Sequence, residues 1–492
     1  MTYLLAIDQG TSSTRAMLYS AKGELVTSSQ YPLTQFYTKP GWVEHDPEEI
    51  WQKTLKAMQD VLAQIDPGRV IACGITNQRE TTLVWDKESG KCLSFAIVWQ
   101  DRRTQAYCES LSEQTSFIQS KTGLLPDPYF SASKLDWLMK NIPQARNLAA
   151  KNQLAFGTID SFLLWRLTKG KVHATDQTNA SRTLLFNIFN QQWDEDLLNL
   201  FQIPHSILPE VCPSDSHFGF IDNKYFGVAI PITGIVGDQQ AALIGQRCIR
   251  AGMVKATFGT GGFLLMNTGN KPVLSKHKLL TTIAYCIKGE TIYGLEGSLY
   301  QAGTTVKWLR DEMKIIEQAA ETEALAKSLP SNEGVYLIPS FTGLGAPYWI
   351  NTTGAAIVGL TRTTNRAHFA RAALESVCYQ TREILACMRE DSDLDLAVLR
   401  ADGGMAVNQW FLQFLSSQCG LRVQCPSDIE TTAQGAAMLA ALGCGLITTL
   451  DSLQETWICA HEFQALNSKA DEHDYSGWKR ALNMFKGLKY TP

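Results

Sequence analysis

The stretch YLLAIDQGTSSTRAMLY (residues 3–19) decides how this chain is read. Tyr3 to Ile7 is a short apolar run, Asp8 to Thr14 is polar and dense in Gly, Ser and Thr, and Arg15 to Tyr19 is apolar again. Two such runs across a glycine-containing turn predict a β-hairpin, which an Ala-Lys-Gly turn and Glu24 to Tyr31 extend into a meander. The plan recurs at MVKATFGTGGFLLMN (residues 253–267), where Met253 to Phe258 and Phe263 to Asn267 flank the turn Gly259-Thr260-Gly261-Gly262. Two halves opening on strand, Gly/Thr turn and strand predict an internal structural duplication. The apolar pattern breaks near Arg247 to Gly252, which places the expected domains at residues 1–248 and 249–492. No Pro-rich or low-complexity linker separates them, so the halves are expected to pack closely.

Between these landmarks strands and helices alternate, giving an α/β class. Asp46 as N-cap, Pro47 at the first helical position and Glu49 as the far side of a capping box start a helix. Trp51, Leu55, Met58, Leu62 and Ile65 form its apolar face, and Asp66-Pro67-Gly68 ends it. Strands are predicted at Val70 to Ile75, Thr82 to Trp85 and Cys92 to Trp99, and later at Thr281 to Ile287, Thr291 to Leu295 and Val398 to Ala401. Asp402-Gly403-Gly404 and Gly343-Leu344-Gly345 are further glycine turns, and a long helix runs from Asn408 to Cys419.

The 492 residues carry a formal charge of −4, with 45% hydrophobic and 19% charged residues. That is globular composition, and its neutrality argues against nucleic acid or an anionic membrane as partner, since both require concentrated basic surface. The N-terminus lacks a basic region and a cleavage site, so no signal peptide is expected. The uncharged stretch Thr431 to Leu450 holds twelve hydrophobic residues among twenty. It reads as a buried Ala-rich helix, Ala433 to Leu442, ended by Gly443 and Gly445, and not as a membrane span. Twelve scattered cysteines without a Cys-x-x-Cys pair or zinc spacing point to free thiols in the cytoplasm.

The polar turns carry the chemistry. Asp8 to Arg15 offers backbone N–H groups and hydroxyls suited to phosphate oxygens, with Arg15 adding charge and Asp8 able to hold magnesium through its water shell. A plain surface turn uses the same residues. It is the match with Gly259 to Gly262 in the other half that suggests a clamp around one nucleotide. Neither the Walker nor the Rossmann pattern occurs. Arg79-Glu80 follows an apolar strand and reads either as donors and acceptors for vicinal hydroxyls or as an ion pair. Asp238 follows Ile235-Val236 and reads either as a general base or as a helix N-cap. Trp99, Tyr129 and Phe263 suit core positions or an apolar wall for a polyol. No histidine completes a nucleophile motif with Ser or Cys.

DQGTSSTR (8–15), PGWVEHDPEEIW (40–51), GITNQRETT (74–82), VHATDQTNASRTLLFNI (172–188), GDQQAAL (237–243), FTGLGAPYW (341–349) and DGGMAVN (402–408) together resemble the FGGY carbohydrate kinases. The resemblance runs from Tyr3 to about Lys479, and GITNQRETT is similar to the glycerol branch over the pentulose branch. It implies two actin-like (RNase H-type) ATPase domains with a cleft between them, and ATP-dependent phosphorylation of glycerol to sn-glycerol 3-phosphate. The alternatives are a kinase for another small polyol such as erythritol and a substrate-free nucleotide switch. Position by position, the resemblance implies Asp238 as general base, Arg79, Glu80, Tyr129 and Gln239 as polyol contacts, and Trp99 and Phe263 as walls. Thr11, Ser12, Ser13, Arg15 and Thr260 would meet the nucleotide phosphates, Gly303, Lys307, Gly404 and Asn408 would line the nucleotide pocket, and Asp8 and Asp238 would place Mg2+. It also implies a homodimer or homotetramer.

Departures from the family pattern are Lys307 in place of Gln, and Ile350-Asn351-Thr352-Thr353 where Asp-Pro is common. Asp222 to Ile230 has one Gly and no Arg. Relatives inhibited by fructose 1,6-bisphosphate carry a Gly-rich, Arg-containing loop there, so weak or absent inhibition by that effector is expected.

Overall fold

The computed structural model describes residues 2–350, 354–466 and 469–487; the departure at Asn351 to Thr353 lies outside them. β1 (Tyr3–Gln9) and β2 (Ser13–Ser20) form the expected hairpin, and Gly10 N–H donates to Ser13 O at 2.9 Å within its turn. β3 (Leu25–Pro32) pairs antiparallel with β2. α1 (Pro47–Leu62) starts at Pro47, with the Asp46 carboxylate accepting from Glu48 N–H at 2.9 Å. The expected capping box does not form. Glu49 instead takes the Thr34 hydroxyl at 2.9 Å and the Lys53 ammonium at 2.5 Å, partners that outcompete one backbone N–H.

β4 (Val70–Asn77) runs parallel to β1, and β5 (Ile230–Gly237) parallel to β4. α2 (Asp238–Gly245) leaves β5 without a loop. The predicted strand at Cys92 to Trp99 shrinks to Ala96–Ile97, because its partner Leu83–Asp86 forms its ladder with Leu154–Gly157. The sheet order is Phe220–Ile221, β5, β4, β1, β2, β3.

In the second half, β6 (Met253–Phe258) and β7 (Gly262–Gly269) repeat the hairpin. β8 (Leu280–Ile287) and β9 (Glu290–Leu299) extend it antiparallel through β7. After α3 (Gly303–Asp311) and the long α4 (Arg366–Ser392), β10 (Val398–Asp402) returns parallel to β6. Then come α5 (Gln409–Cys419), β11 (Val423–Pro426) and α6 (Thr431–Gly443). The order is β8, β9, β7, β6, β10, β11, Cys459–Phe463. In both sheets the first strand lies between its antiparallel hairpin partner and a parallel strand from much later in the chain, so the duplication is real at the level of topology.

Alternate side chains of β1 enter two cores, as a central strand covered on both faces requires. Leu5 and Ile7 join Ile50, Trp51 and Met58 of α1, while Leu4 and Ala6 join Ala436 to Ala441 of α6. α6, far along the chain, therefore packs on the first sheet and along α2. Small residues permit the approach: a Cβ at Gly435 would stand 1.9 Å from Ala241 O, and one at Gly245 1.9 Å from Thr431 O. Among the described residues no helix is long and apolar enough to cross a membrane.

Candidate active site

The carboxyl ends of the central strands carry the polar turns. The registers Asp8↔Thr76 and Thr76↔Val236 bring Asp8 and Asp238 to the same end of three adjacent strands. Asp238 occupies the first turn of α2, whose N-cap is Gly237, so the N-cap reading gives way. Its Oδ1 accepts from Gln239 N–H at 2.7 Å and lies 3.1 Å from Arg79 Nε.

Arg79 and Glu80 do not pair with each other. Arg79 reaches Glu296 at 2.5 Å and Tyr129 OH at 3.4 Å, while Glu80 accepts from Arg182 Nε at 2.6 Å. Glu80 sits at φ 60°, a conformation a β-branched or bulky side chain avoids, and its carbonyl is held by Ser131 and Thr82 hydroxyls. Adjacent residues thus point to separate partners. Trp99, half-buried, closes one side, with its ring 5.5 Å from Tyr129 and 5.9 Å from Phe263. Its indole N–H donates to Thr11 Oγ1 at 2.9 Å, joining this wall to the first glycine turn. The structure therefore brings Arg79, Glu80, Trp99, Tyr129, Asp238, Gln239 and Phe263 into one site.

The nucleotide-side predictions fall into two groups. In the first turn Ser12 is exposed and Thr11 is bonded by Trp99, whereas Arg15 points to Asp8 at 2.5 Å and to Glu430. In the second, Gly303 N–H donates to Gly259 O at 2.9 Å and Ala302 N–H to Thr260 O at 3.0 Å, so the start of α3 backs the turn. Gly403, at φ 89°, presses against β6, where a Cβ would stand 2.6 Å from Phe258 O. Gly404 beside it is exposed, with open space where a side chain would be. Asn408 caps α5 by accepting from Phe411 N–H at 2.9 Å, and Lys307 is exposed on α3.

A family model for the FGGY family of carbohydrate kinases, N-terminal domain, matches residues 3–245, and the C-terminal domain model matches residues 254–444. The chain belongs to the FGGY family of carbohydrate kinases. It is 52% identical over 487 residues to a glycerol kinase of Alcanivorax borkumensis, covering 98% of each chain. It is 52% identical over 485 residues to glycerol kinase 1 of Pseudomonas aeruginosa, again with 98% of each covered. The crystal structure of Plasmodium falciparum glycerol kinase with ADP superposes with a TM-score of 0.93 at 37% identity, over 100% of this chain and 99% of that one. A xylulose kinase from Lactobacillus acidophilus shares the fold, with a TM-score of 0.89 at 21% identity over 99% of each chain.

In this FGGY kinase the site also contains residues that sequence reasoning missed. Glu296 of β9 accepts from both Arg79 and Arg182, the latter at 2.7 Å. Lys255 of β6 donates to the Gln239 side chain and to Thr257 Oγ1 at 3.1 Å. Three cations (Arg79, Arg182, Lys255) thus face three carboxylates (Glu80, Glu296, Asp238), which balances charges whose separate burial would be prohibitive. Lys255 and Glu296 did leave a signal: Lys255 is the one charge in β6, and Glu296 lies inside β9, whose other charge, Glu290, stands at its exposed start; a charge inside a strand requires a buried partner.

Burial raises the Asp238 carboxyl above its ordinary value, with Arg79 and Lys255 pulling the other way. Burial works against Glu296 as well, but Arg182 and Arg79 outweigh it and hold that carboxyl low. Burial pushes the Lys255 ammonium down to about 8, against the attraction of Asp402, Asp238 and Glu296. For magnesium, the described residues contain no cluster of three or more His, Cys, Asp or Glu able to enclose an ion. The protein can supply Asp8 and Asp238 at the same end of two strands separated by β4, which fits an ion completed by waters and phosphate oxygens.

Proposed function

We propose that the protein is an ATP-dependent glycerol kinase that forms sn-glycerol 3-phosphate. The observation that carries this is the Asp238 carboxylate 3.1 Å from the buried Arg79 guanidinium, beside the wall of Trp99, Tyr129 and Phe263. The relatives that are half-identical over nearly the whole chain carry the name of the same activity.

Arg79, Glu80, Tyr129 and Gln239 hold the three hydroxyls, and the rings of Trp99 and Phe263 lie against the C–H faces. Asp238 takes the proton of a terminal hydroxyl as its oxygen bonds to the γ-phosphorus, and the bond from that phosphorus to ADP breaks. A carboxyl raised by burial is better matched to this proton transfer at neutral pH than an exposed one. Thr11, Ser12, Ser13 and Thr260 offer hydroxyls and amides to the phosphates, and Arg15 acts through Asp8. Gly404 leaves room for the nucleoside against α3 and α5, with Gly303, Lys307 and Asn408 around it. Mg2+ held near Asp8 and Asp238 supplies neutralisation of phosphate charge. With little covalent chemistry to perform, positioning and charge neutralisation carry the rate.

A coupled ADP-release assay with glycerol, erythritol, xylulose and no polyol tests the reading. Turnover is expected with glycerol, and ADP release independent of any polyol overturns it. Asp238→Asn should lower kcat by roughly 10²-fold or more with the fold retained. Arg79→Ala should raise the KM for glycerol much more than that for ATP.

A further inference from the structure

Arg79, Glu80, Arg182 and Glu296 form a chain of ion pairs in which every member is at most 3% exposed. Arg79 donates to Glu296 Oε2 at 2.5 Å, Arg182 to Glu296 Oε1 at 2.7 Å, and Arg182 to Glu80 Oε1 at 2.6 Å. Glu296 uses one oxygen for each guanidinium. Arg182 stands over the rings of Tyr129 and Phe130, at 5.4 and 5.3 Å from their centroids. Three of the four come from the first half of the chain, but Glu296 lies in β9 of the second sheet.

We propose that Glu296 and Arg182 are positioning residues of the polyol site, and that the site is complete only when the second sheet delivers Glu296 to it. Without Glu296, Arg79 keeps Asp238 as its remaining ionic partner, and its fork swings toward the general base. Without Arg182, Glu80 loses its one cationic hydrogen-bond donor among the described residues, while its backbone at φ 60° stays fixed. A guanidinium suits both tasks because its planar fork holds two acceptors at set angles, which a lysine cannot do. Glycerol affinity is thereby tied to the docking of the two halves, whereas the glycine turns that face the nucleotide do not touch this chain of pairs.

The inference rests on Arg79 and Glu80 being the polyol contacts. Glu296→Gln keeps the shape and removes the charge; Arg182→Lys keeps the charge and removes the fork. Each should raise the KM for glycerol roughly tenfold or more and leave the KM for ATP within about twofold, while Glu296→Asp should recover part of the loss. A merely structural role would lower the amount of active enzyme and the melting temperature without separating the two KM values. Should Glu296→Gln not accumulate as folded protein, Arg182→Lys carries the same test. Unchanged glycerol KM in a folded Glu296→Gln or Arg182→Lys enzyme overturns the inference. If Arg79→Ala also leaves glycerol KM unchanged, the reading of the polyol site itself fails; if Arg79→Ala raises it while these variants do not, only the positioning role fails.

Discussion

His45 lies 1% exposed behind the first glycine turn, its Nδ1 3.3 Å from Gln78 Nε2, and Gln78 also reaches Gly10 O. Burial pushes its imidazole down to about 4 against the pull of Glu49, and burial likewise brings His173 to about 4. The unfolded chain takes up these protons near pH 6.5, and the folded protein resists them down to about pH 4. Stability is therefore fully present above pH 6.5 and is lost as pH falls through that window, by roughly 3 kcal/mol for a fully buried group such as His45. Melting followed from pH 7 to 4.5 should show this fall, and His45→Gln should show a shallower one; parallel slopes would contradict it. At this scale the sequence revealed Asp238, Arg79 and Glu80 because each follows an apolar strand, where a side chain must emerge at a sheet end. It hid their partners. Arg182 precedes an ordinary apolar run, and the partners of Glu296 (Arg79 and Arg182) and of Lys255 (Gln239) lie in the other half of the chain, where no sequence pattern points.

The hairpins were legible because a glycine turn between apolar runs is a local signal, and a parallel return strand simply follows from its own apolar run. The reach of α6 to the first sheet was not, since an Ala-rich helix shows no face and does not name its partner. Its fit has a testable sign. Replacing Gly by Ala in a helix interior ordinarily stabilises by about 0.5–1 kcal/mol through backbone entropy. At Gly435 the new Cβ would meet Ala241 O at 1.9 Å, and the obstacle is backbone that cannot rotate aside. Gly435→Ala should therefore destabilise by about 1–3 kcal/mol as the helices are forced apart. Gly487→Ala, near the end of the helix Lys469–Gly487 with open space around it, should show no such loss. Denaturant midpoints measure both, and a stabilised Gly435→Ala would show that α2 and α6 are not packed backbone to backbone. The missing capping box at Glu49 teaches the same lesson in miniature: the motif was present, but Thr34 and Lys53, distant or unranked in the pattern, competed for its carboxylate.

Across the whole molecule, the halves meet both at the site and away from it. Arg79 and Arg182 meet Glu296, Gln246 Nε2 donates to Asp402 at 2.6 Å, and α6 lies on the first sheet. Unfolding the second half alone would strip Glu296 from two buried guanidinium groups, a loss of about 3–5 kcal/mol before any apolar surface is exposed. The chain is therefore expected to melt in one transition. Glycerol at 100 times its Kd adds about 2.7 kcal/mol to the stability of whatever unit binds it. With an unfolding entropy of about 2.1 cal/mol/K per residue, that is a rise of roughly 2–3 °C if all residues melt together, and roughly 5 °C if only one half responds. Calorimetry with and without glycerol separates the two cases. A single peak moving by the smaller amount is expected. Two peaks, one moving by the larger amount while the other stays, would show that the halves are energetically independent and that Glu296 does not bind them.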